Sequence, residues 1–237
     1  KKKNVIFAGN QRSFGDNSIN SKLIISSKNL KRILVYNKKN GFINVESGIL
    51  LSEILKIIVT DGWILPVMPG SKYVSVGGII ANNVFGKNSK KNQLKYYVKE
   101  IKILLENGKI INCSKHKNKK TFELTIGGFG LTGMIISAKI KLKKIKNSMI
   151  CQNIYSFESY KKLFEILKNV KKFEYNVSWV KSIEKNKICG LLYLGDHDTK
   201  KAKYITTYSG DKKLNIFNFL ILKTFTQNYY LSKILNA

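Results

Sequence analysis

Both prolines of this chain and four of its 17 glycines fall in one stretch, residues 66–88, PVMPGSKYVSVGGIIANNVFGKN. Proline removes a backbone donor and fixes φ, and glycine weakens helices and strands alike. The stretch has no 3.6-residue apolar period. It reads as an ordered loop whose bare backbone can approach a ligand, and regular structure is expected on either side of it.

On the N-terminal side, residues 4–8 read as a buried strand closed by a loop over residues 9–20. Residues 23–25, 33–36 and 42–46 are further strand candidates, the last ended by Ser47-Gly48. Leu51, Ile54, Leu55 and Ile58 then fall at i, i+3, i+4 and i+7, one face of a helix, with Gly62 placed to stop it. On the C-terminal side, residues 98–106 and 109–113 flank Asn107-Gly108, a hairpin signal for a type I′ turn. A glycine-rich turn, IGGFGLTG (residues 126–133), feeds a strand in which Ile136, Ala138, Ile140 and Leu142 alternate with Ser137, Lys139, Lys141 and Lys143.

The character changes near residue 147. Tyr160, Leu163, Phe164, Leu167 and Val170 form an amphipathic helical pattern, followed by strand-like residues 175–180 and 188–194. A polar stretch to residue 213 and an aromatic-rich helical tail over residues 214–235 complete the chain. The expected class is α+β, with a domain over residues 1–147 and part of a second over 148–237. There is no internal repeat. The chain opens inside a strand, so an N-terminal portion of the first domain is expected to be missing.

Charge adds one constraint. The 237 residues hold 43 Lys+Arg against 14 Asp+Glu, a net +29. Such a balance suits nucleic acid or an anionic membrane, or it reflects biased composition. The lysines are spread along the chain, and no recognition helix, zinc finger or RNA-binding signature accompanies them. No nucleic-acid partner is expected. Cys113, Cys151 and Cys189 are odd in number and far apart, which suggests reduced thiols. With only His116 and His197 to join them, no metal site is expected; both histidines read as surface residues and Trp179 as core. No apolar run reaches the ~20 residues of a membrane span, and no signal peptide is visible. The expected location is cytoplasmic, or peripheral at the inner membrane surface.

GNQRSFGD (residues 9–16), residues 69–88 and GGFGLTG (residues 127–133) each join glycine to small polar groups beside strands. A dinucleotide pyrophosphate needs this arrangement: backbone N–H groups converge on phosphate oxygens where side chains would obstruct them. Ser13 and Ser75 can add hydroxyl donors. Neither G-x-G-x-x-G between strand and helix nor G-x-x-x-x-G-K-[ST] is present, which disfavours a nicotinamide Rossmann domain or a P-loop.

The succession RSFGDN, G-I-L-x-x-E-I-L, G-W-x-L-P-V-x-P-G, V-S-V-G-G-I-I-A-x-N-x-x-G-K-N and G-G-F-G-L-T-G resembles the FAD-binding domain of the vanillyl-alcohol-oxidase (PCMH-type) flavoproteins. Within them it is most similar to the decaprenylphosphoryl-β-D-ribose 2-oxidase-like FAD-linked oxidoreductases. The likeness covers about residues 5–145 and continues more weakly at residues 175–183 and 214–230. It implies a PCMH-type domain of two α/β subdomains followed by part of an α+β substrate domain.

The resemblance also implies roles for particular residues. Phe7, Gly9, Asn10, Gln11, Arg12, Ser13, Phe14, Gly15, Asp16 and Asn17 would form a first pyrophosphate loop. Gly70, Ser75, Val76, Gly77 and Gly78 would form a second phosphate turn. Asn82, Asn83, Val84 and Phe85 would line the flavin, and Gly133 and Ile135 the adenine half. Lys87 matches a family lysine beside the substrate pocket. Relatives that attach flavin covalently carry histidine where this chain has Arg12, so noncovalent FAD is expected. Closer relatives have histidine where this chain has Phe85. The implied reaction is oxidation of a secondary alcohol on a sugar or polyol, such as a lipid-linked phosphoribose, whose product a partner reductase would reduce. A basic binding module without flavin and an inactive remnant of a flavoprotein are the competing readings.

Overall fold

The computed structural model describes residues 5–13, 15–168, 170–184 and 187–199. In chain order these form β1 (Val5–Ala8), β2 (Leu23–Ser26), β3 (Ile33–Asn37), β4 (Phe42–Glu46), α1 (Leu51–Ile58), β5 (Trp63–Ile64), α2 (Val76–Ala81), β6 (Val98–Leu104), β7 (Ile110–Ser114) and α3 (Lys119–Thr125). Then follow β8 (Met134–Lys141), β9 (Lys143–Lys144), β10 (Ile150–Phe157), α4 (Tyr160–Leu167), β11 (Tyr175–Glu184) and β12 (Lys187–His197). Mixed helices and sheets make the chain α+β. The expected tail over residues 214–235, and most of the polar stretch before it, lie outside the described residues.

The main sheet is antiparallel, in the order β3-β4-β8-β6-β7. Its rows of inward side chains are cross-strand neighbours: Ile43, Ile140 and Val98 form one row, and Val45, Ala138 and Ile101 the next. All six are buried, and they pack with Leu51, Ile54 and Ile58 of α1 and Val76, Ile79 and Ile80 of α2. The helical face anticipated from the i, i+3, i+4, i+7 spacing is therefore the one that covers the sheet. Burying a side chain of this size stabilises by about 1.5–3 kcal/mol before entropy is counted, which is why these rows set the register.

Three local features differ from expectation. The 66–88 stretch contains α2: Ser75 caps it by accepting from Gly78 N, and Val76, Ile79 and Ile80 form a buried i, i+3, i+4 stripe. The hairpin between β6 and β7 forms, but not with a type I′ turn. Gly108 alone of the central pair has positive φ (+79°), and Leu105 N donates to Lys109 O (2.9 Å). That is a three-residue loop with glycine at the left-handed position. In β8, Lys102 pairs with Ser137 and Ile103 with Ile135, so Ile136 is the extra residue of a bulge. Ile135 enters the core in its place, and the Ile136 carbonyl accepts from Ser47 N (2.9 Å).

β1 and β2 form a separate parallel pair, and β5 pairs with β9. The second sheet, in the order β10-β12-β11, has its own small core of Phe157, Ile188, Leu192 and Leu194, backed by Leu163, Ile166, Leu167 and Val170. Phe164 and Tyr160, expected on the inner face of α4, are exposed, since Ile166 takes part instead. Trp179, expected in a core, is 66% exposed.

Where the sheets meet, residues 87–89 run along the free edge of β11. Asn88 bridges to Tyr175, Asn176 N donates to Lys87 O (2.8 Å), and Ser89 N donates to Glu174 O (2.7 Å). The junction is polar. Lys143 pairs with Glu174, and His197 lies between the Asn147 carbonyl (2.8 Å from Nδ1) and the Tyr175 hydroxyl (3.0 Å from Nε2). A carbonyl can only accept, so Nδ1 carries the proton; Nε2 meets the Tyr175 hydroxyl, which also hydrogen-bonds the Glu174 carboxylate. His197 is thus half-buried and bonded through both nitrogens, not a free surface residue.

Candidate functional site

The three glycine-rich segments lie more than a hundred residues apart at their extremes, yet they line one cavity of about 720 Å³. That volume is in the usual range for cofactor and small-molecule sites. The sheet order produces the meeting. β1 leads directly into residues 9–13, and α2 is laid against β4 and β8. The turn over residues 127–133 is tied to the end of α2, where Gly127 N donates to Ile80 O (3.1 Å) and Phe129 N to Ala81 O (2.9 Å).

Close approach explains the glycines. A Cβ on Gly9 would stand 2.3 Å from Ser75 Oγ, and one on Gly77 would stand 2.9 Å from Ser47 Cβ. Gly77 N also donates to Ser47 O (2.7 Å), so α2 is pulled onto the strand–loop corner at residue 47. The glycine backbone of α2 is left facing the cavity. Asn10 Nδ2 donates to Tyr73 O (2.6 Å) and holds the first loop against the second.

Of the residues expected at the site, Phe7, Gly9, Asn10, Gln11, Arg12, Ser13 and Asn17 line the cavity from the first loop. Gly70, Ser75, Gly77 and Gly78 line it from the second, with Asn82 and Val84 beyond them and Gly133 and Ile135 from the third. Phe14 lies outside the described residues. Gly15, Asp16, Asn83, Phe85 and Lys87 do not line the cavity, and Val76 is fully buried in the core as the first inward residue of α2. Asn83, with φ +41°, turns its side chain to Gln93 and the backbone of Lys95. Phe85 is 61% exposed, and Lys87 is exposed.

Among the further lining residues, Ser27 and Ser47 lie outside the glycine-rich segments, whereas Phe129 and Gly130 belong to the third of them. Among the described residues the buried Ser47 hydroxyl finds no hydrogen-bond partner, a state that costs free energy unless something else satisfies it. Beside it, Glu46 is buried and accepts from Arg32 N (2.8 Å), Nε (3.0 Å) and Nη2 (2.8 Å). The Arg32 guanidinium holds the Glu46 carboxyl below its ordinary range. At the junction of the sheets, burial and the Lys143 charge lower the His197 pKa, and burial raises that of Tyr175. Among the described residues no cluster of His, Cys, Asp and Glu could hold a metal ion.

These features fit a dinucleotide: a cavity lined by glycine backbone and serines from remote segments, with an unsatisfied hydroxyl among them. Comparison with known proteins agrees. A family model described as FAD binding domain matches residues 1–114. Decaprenylphosphoryl-beta-D-ribose oxidase of Mycolicibacterium smegmatis is 33% identical over 141 residues, 58% of this chain and 31% of that protein. D-lactate dehydrogenase of Anaerostipes hadrus is 29% identical over 139 residues, 56% of this chain and 29% of that protein. Human Delta(24)-sterol reductase is 25% identical over 115 residues, 48% of this chain and 22% of that protein. The chain thus spans less than a third of the length of these curated relatives.

Proposed function

We propose, from the premise that residues 1–114 belong to the FAD-binding-domain family, that the chain is the flavin-holding part of an oxidoreductase acting on a secondary alcohol of a sugar or polyol. The observation that carries this reading is the convergence of three remote glycine segments on one cavity. When bound, FAD supplies the hydride-accepting flavin ring, and the protein supplies position and electrostatics. In this reading the 9–13 loop and the Gly78 backbone hold the pyrophosphate, and Gly77, whose own N–H is committed to Ser47 O, permits the close approach. Asn82 and Val84 lie along the flavin, and Gly133 and Ile135 along the adenine half. Arg12 occupies the place of a flavin-linking histidine, so the cofactor is held noncovalently.

The relatives named for a ribose and for lactate both point to an alcohol carbon, which favours CH–OH chemistry over other oxidations. Lys87, whose backbone β11 braces, would hold a hydroxyl or anionic group of the substrate through its ammonium. A net charge of +29 suits a phosphorylated, lipid-linked sugar presented at a membrane surface, with a separate reductase consuming the ketone. No described helix is long and apolar enough to cross a membrane.

The test is an absorbance spectrum of the purified chain after loading with FAD and removal of the excess. Retained flavin bands released by acid are expected. Bands that survive acid precipitation would refute the noncovalent reading. A chain extended to the length of its relatives that retains no flavin, and instead binds polyanions with a steep salt dependence, would favour the basic-module reading. Screening sugar alcohols and 2-hydroxy acids with an artificial electron acceptor then separates the substrate classes.

A further inference from the structure

Phe129 sits where an aromatic ring does nothing for the chain by itself. Its φ is +51°, a left-handed conformation that is strained for a bulky side chain. It belongs to neither apolar core and is 57% exposed. The turn does not need the ring to hold its shape. Phe129 N donates to Ala81 O (2.9 Å), Leu131 N to Gly128 O (2.9 Å), and the Thr125 and Thr132 hydroxyls meet at 2.9 Å. All of these bonds use backbone or other side chains. Phe129 is also one of the residues that line the cavity. Strained residues that contribute little to packing concentrate at ligand sites, and a flat ring at the cavity wall offers a face to another flat ring.

We infer that Phe129 packs against a heteroaromatic ring of the bound dinucleotide and closes that side of the cavity. The inference rests on the reading of the cavity as an FAD site. It adds a specific contact that comes from the 127–133 turn rather than from the phosphate loops.

The test uses the 237-residue chain with F129N and F129W. Asparagine tolerates the left-handed conformation, so F129N removes the ring while keeping the turn. Its melting temperature without ligand should stay within about 2 °C of the parent or rise, while FAD affinity should fall on the order of tenfold, as expected for a lost stacking contact. F129W should keep the affinity, and the emission it adds to that of Trp63 and Trp179 should be quenched as FAD binds. Titration of F129W with FMN and with AMP assigns the contact to the flavin or the adenine ring. F129N binding FAD within twofold of the parent, or F129W emission unchanged at saturation, overturns the inference. A parent chain that binds no FAD fails earlier and overturns the reading of the cavity as well.

Discussion

Replacing Gly78 with alanine should separate folding from binding. Gly78 lies inside α2, where alanine is favoured over glycine by about 1 kcal/mol. The only atom a new Cβ would meet within 4 Å is Ser75 Oγ, at 3.2 Å, the end of a short side chain that can turn. That contact, with weakening of the 3.4 Å cap bond from Gly78 N to Ser75 Oγ, offsets about half of the gain. The net is stabilisation of about 0.5 kcal/mol, or a rise of ~1–2 °C in the melting temperature of the apoprotein. On the cavity side the methyl enters open space, and a phosphate oxygen that takes over the Gly78 N–H from its long 3.4 Å bond to Ser75 Oγ must then retreat. Loss of one hydrogen bond to a charged group costs about 1.5–3 kcal/mol, so FAD affinity should fall roughly 10- to 150-fold. Thermal melts followed by circular dichroism and FAD titration by fluorescence measure the two effects on one sample. G77A is the control. Its Cβ would lie 2.9 Å from Ser47 Cβ and 3.2 Å from Ser47 O, so the overlap falls on the fold itself and should destabilise by about 1–3 kcal/mol. If G78A bound FAD within twofold of the parent, the glycine backbone of α2 would not be the phosphate cradle.

L192A deletes a fully buried side chain of the second core and should cost about 2–5 kcal/mol there. FAD retention should survive it, whereas I80A should abolish retention; equal losses in both would contradict two separate cores. Glu46 has a depressed pKa, so its contribution to stability is present above the ordinary carboxylate pKa and lost as pH falls through the folded value. E46Q should lower the melting temperature at neutral pH and flatten that acid limb in a pH series of melts. His197 has a lowered pKa from burial and Lys143, so stability is full above about pH 6.5 and declines as pH falls from there toward the folded value. H197F should remove that slope, read by melts and by the ring resonances of the parent. F85H changes a residue that is 61% exposed and should change stability by no more than about 0.5 kcal/mol. Thermal melts check that value.

The sequence was most informative where one period or one chemical need dominated. α1 and β4 carry regular apolar spacing, and the cradle glycines are required by close backbone approach. α2 was hidden because Gly77 and Gly78 interrupt what is otherwise a Val76, Ile79, Ile80 stripe, and glycine argues against a helix. α3 was hidden in the lysine-rich stretch, with only Phe122 and Thr125 buried. The bulge at Ile136 depends on pairing with β6, which no local spacing reveals. Ser27 and Ser47 follow ordinary strands, and only tertiary folding brings them to the cavity. Phe129 lay within a quoted motif, but its conformation, not its identity, distinguishes it. His197 looked like a surface residue because its partners are 22 and 50 positions away.

The ladder between residues 87–89 and the border of β11 bears on modularity. An exposed strand border invites pairing with other chains, and here a loop from the other half of the molecule occupies it. A polypeptide trimmed near residue 147 would leave the Lys87 carbonyl and the Ser89 amide without their mates, and the complementary piece would be adhesive. Insertion of one residue before Tyr175 would shift the ladder and reverse which side chains face the junction. The two halves therefore share a common seam, so substitutions that shift β11 are expected to move Lys87 as well.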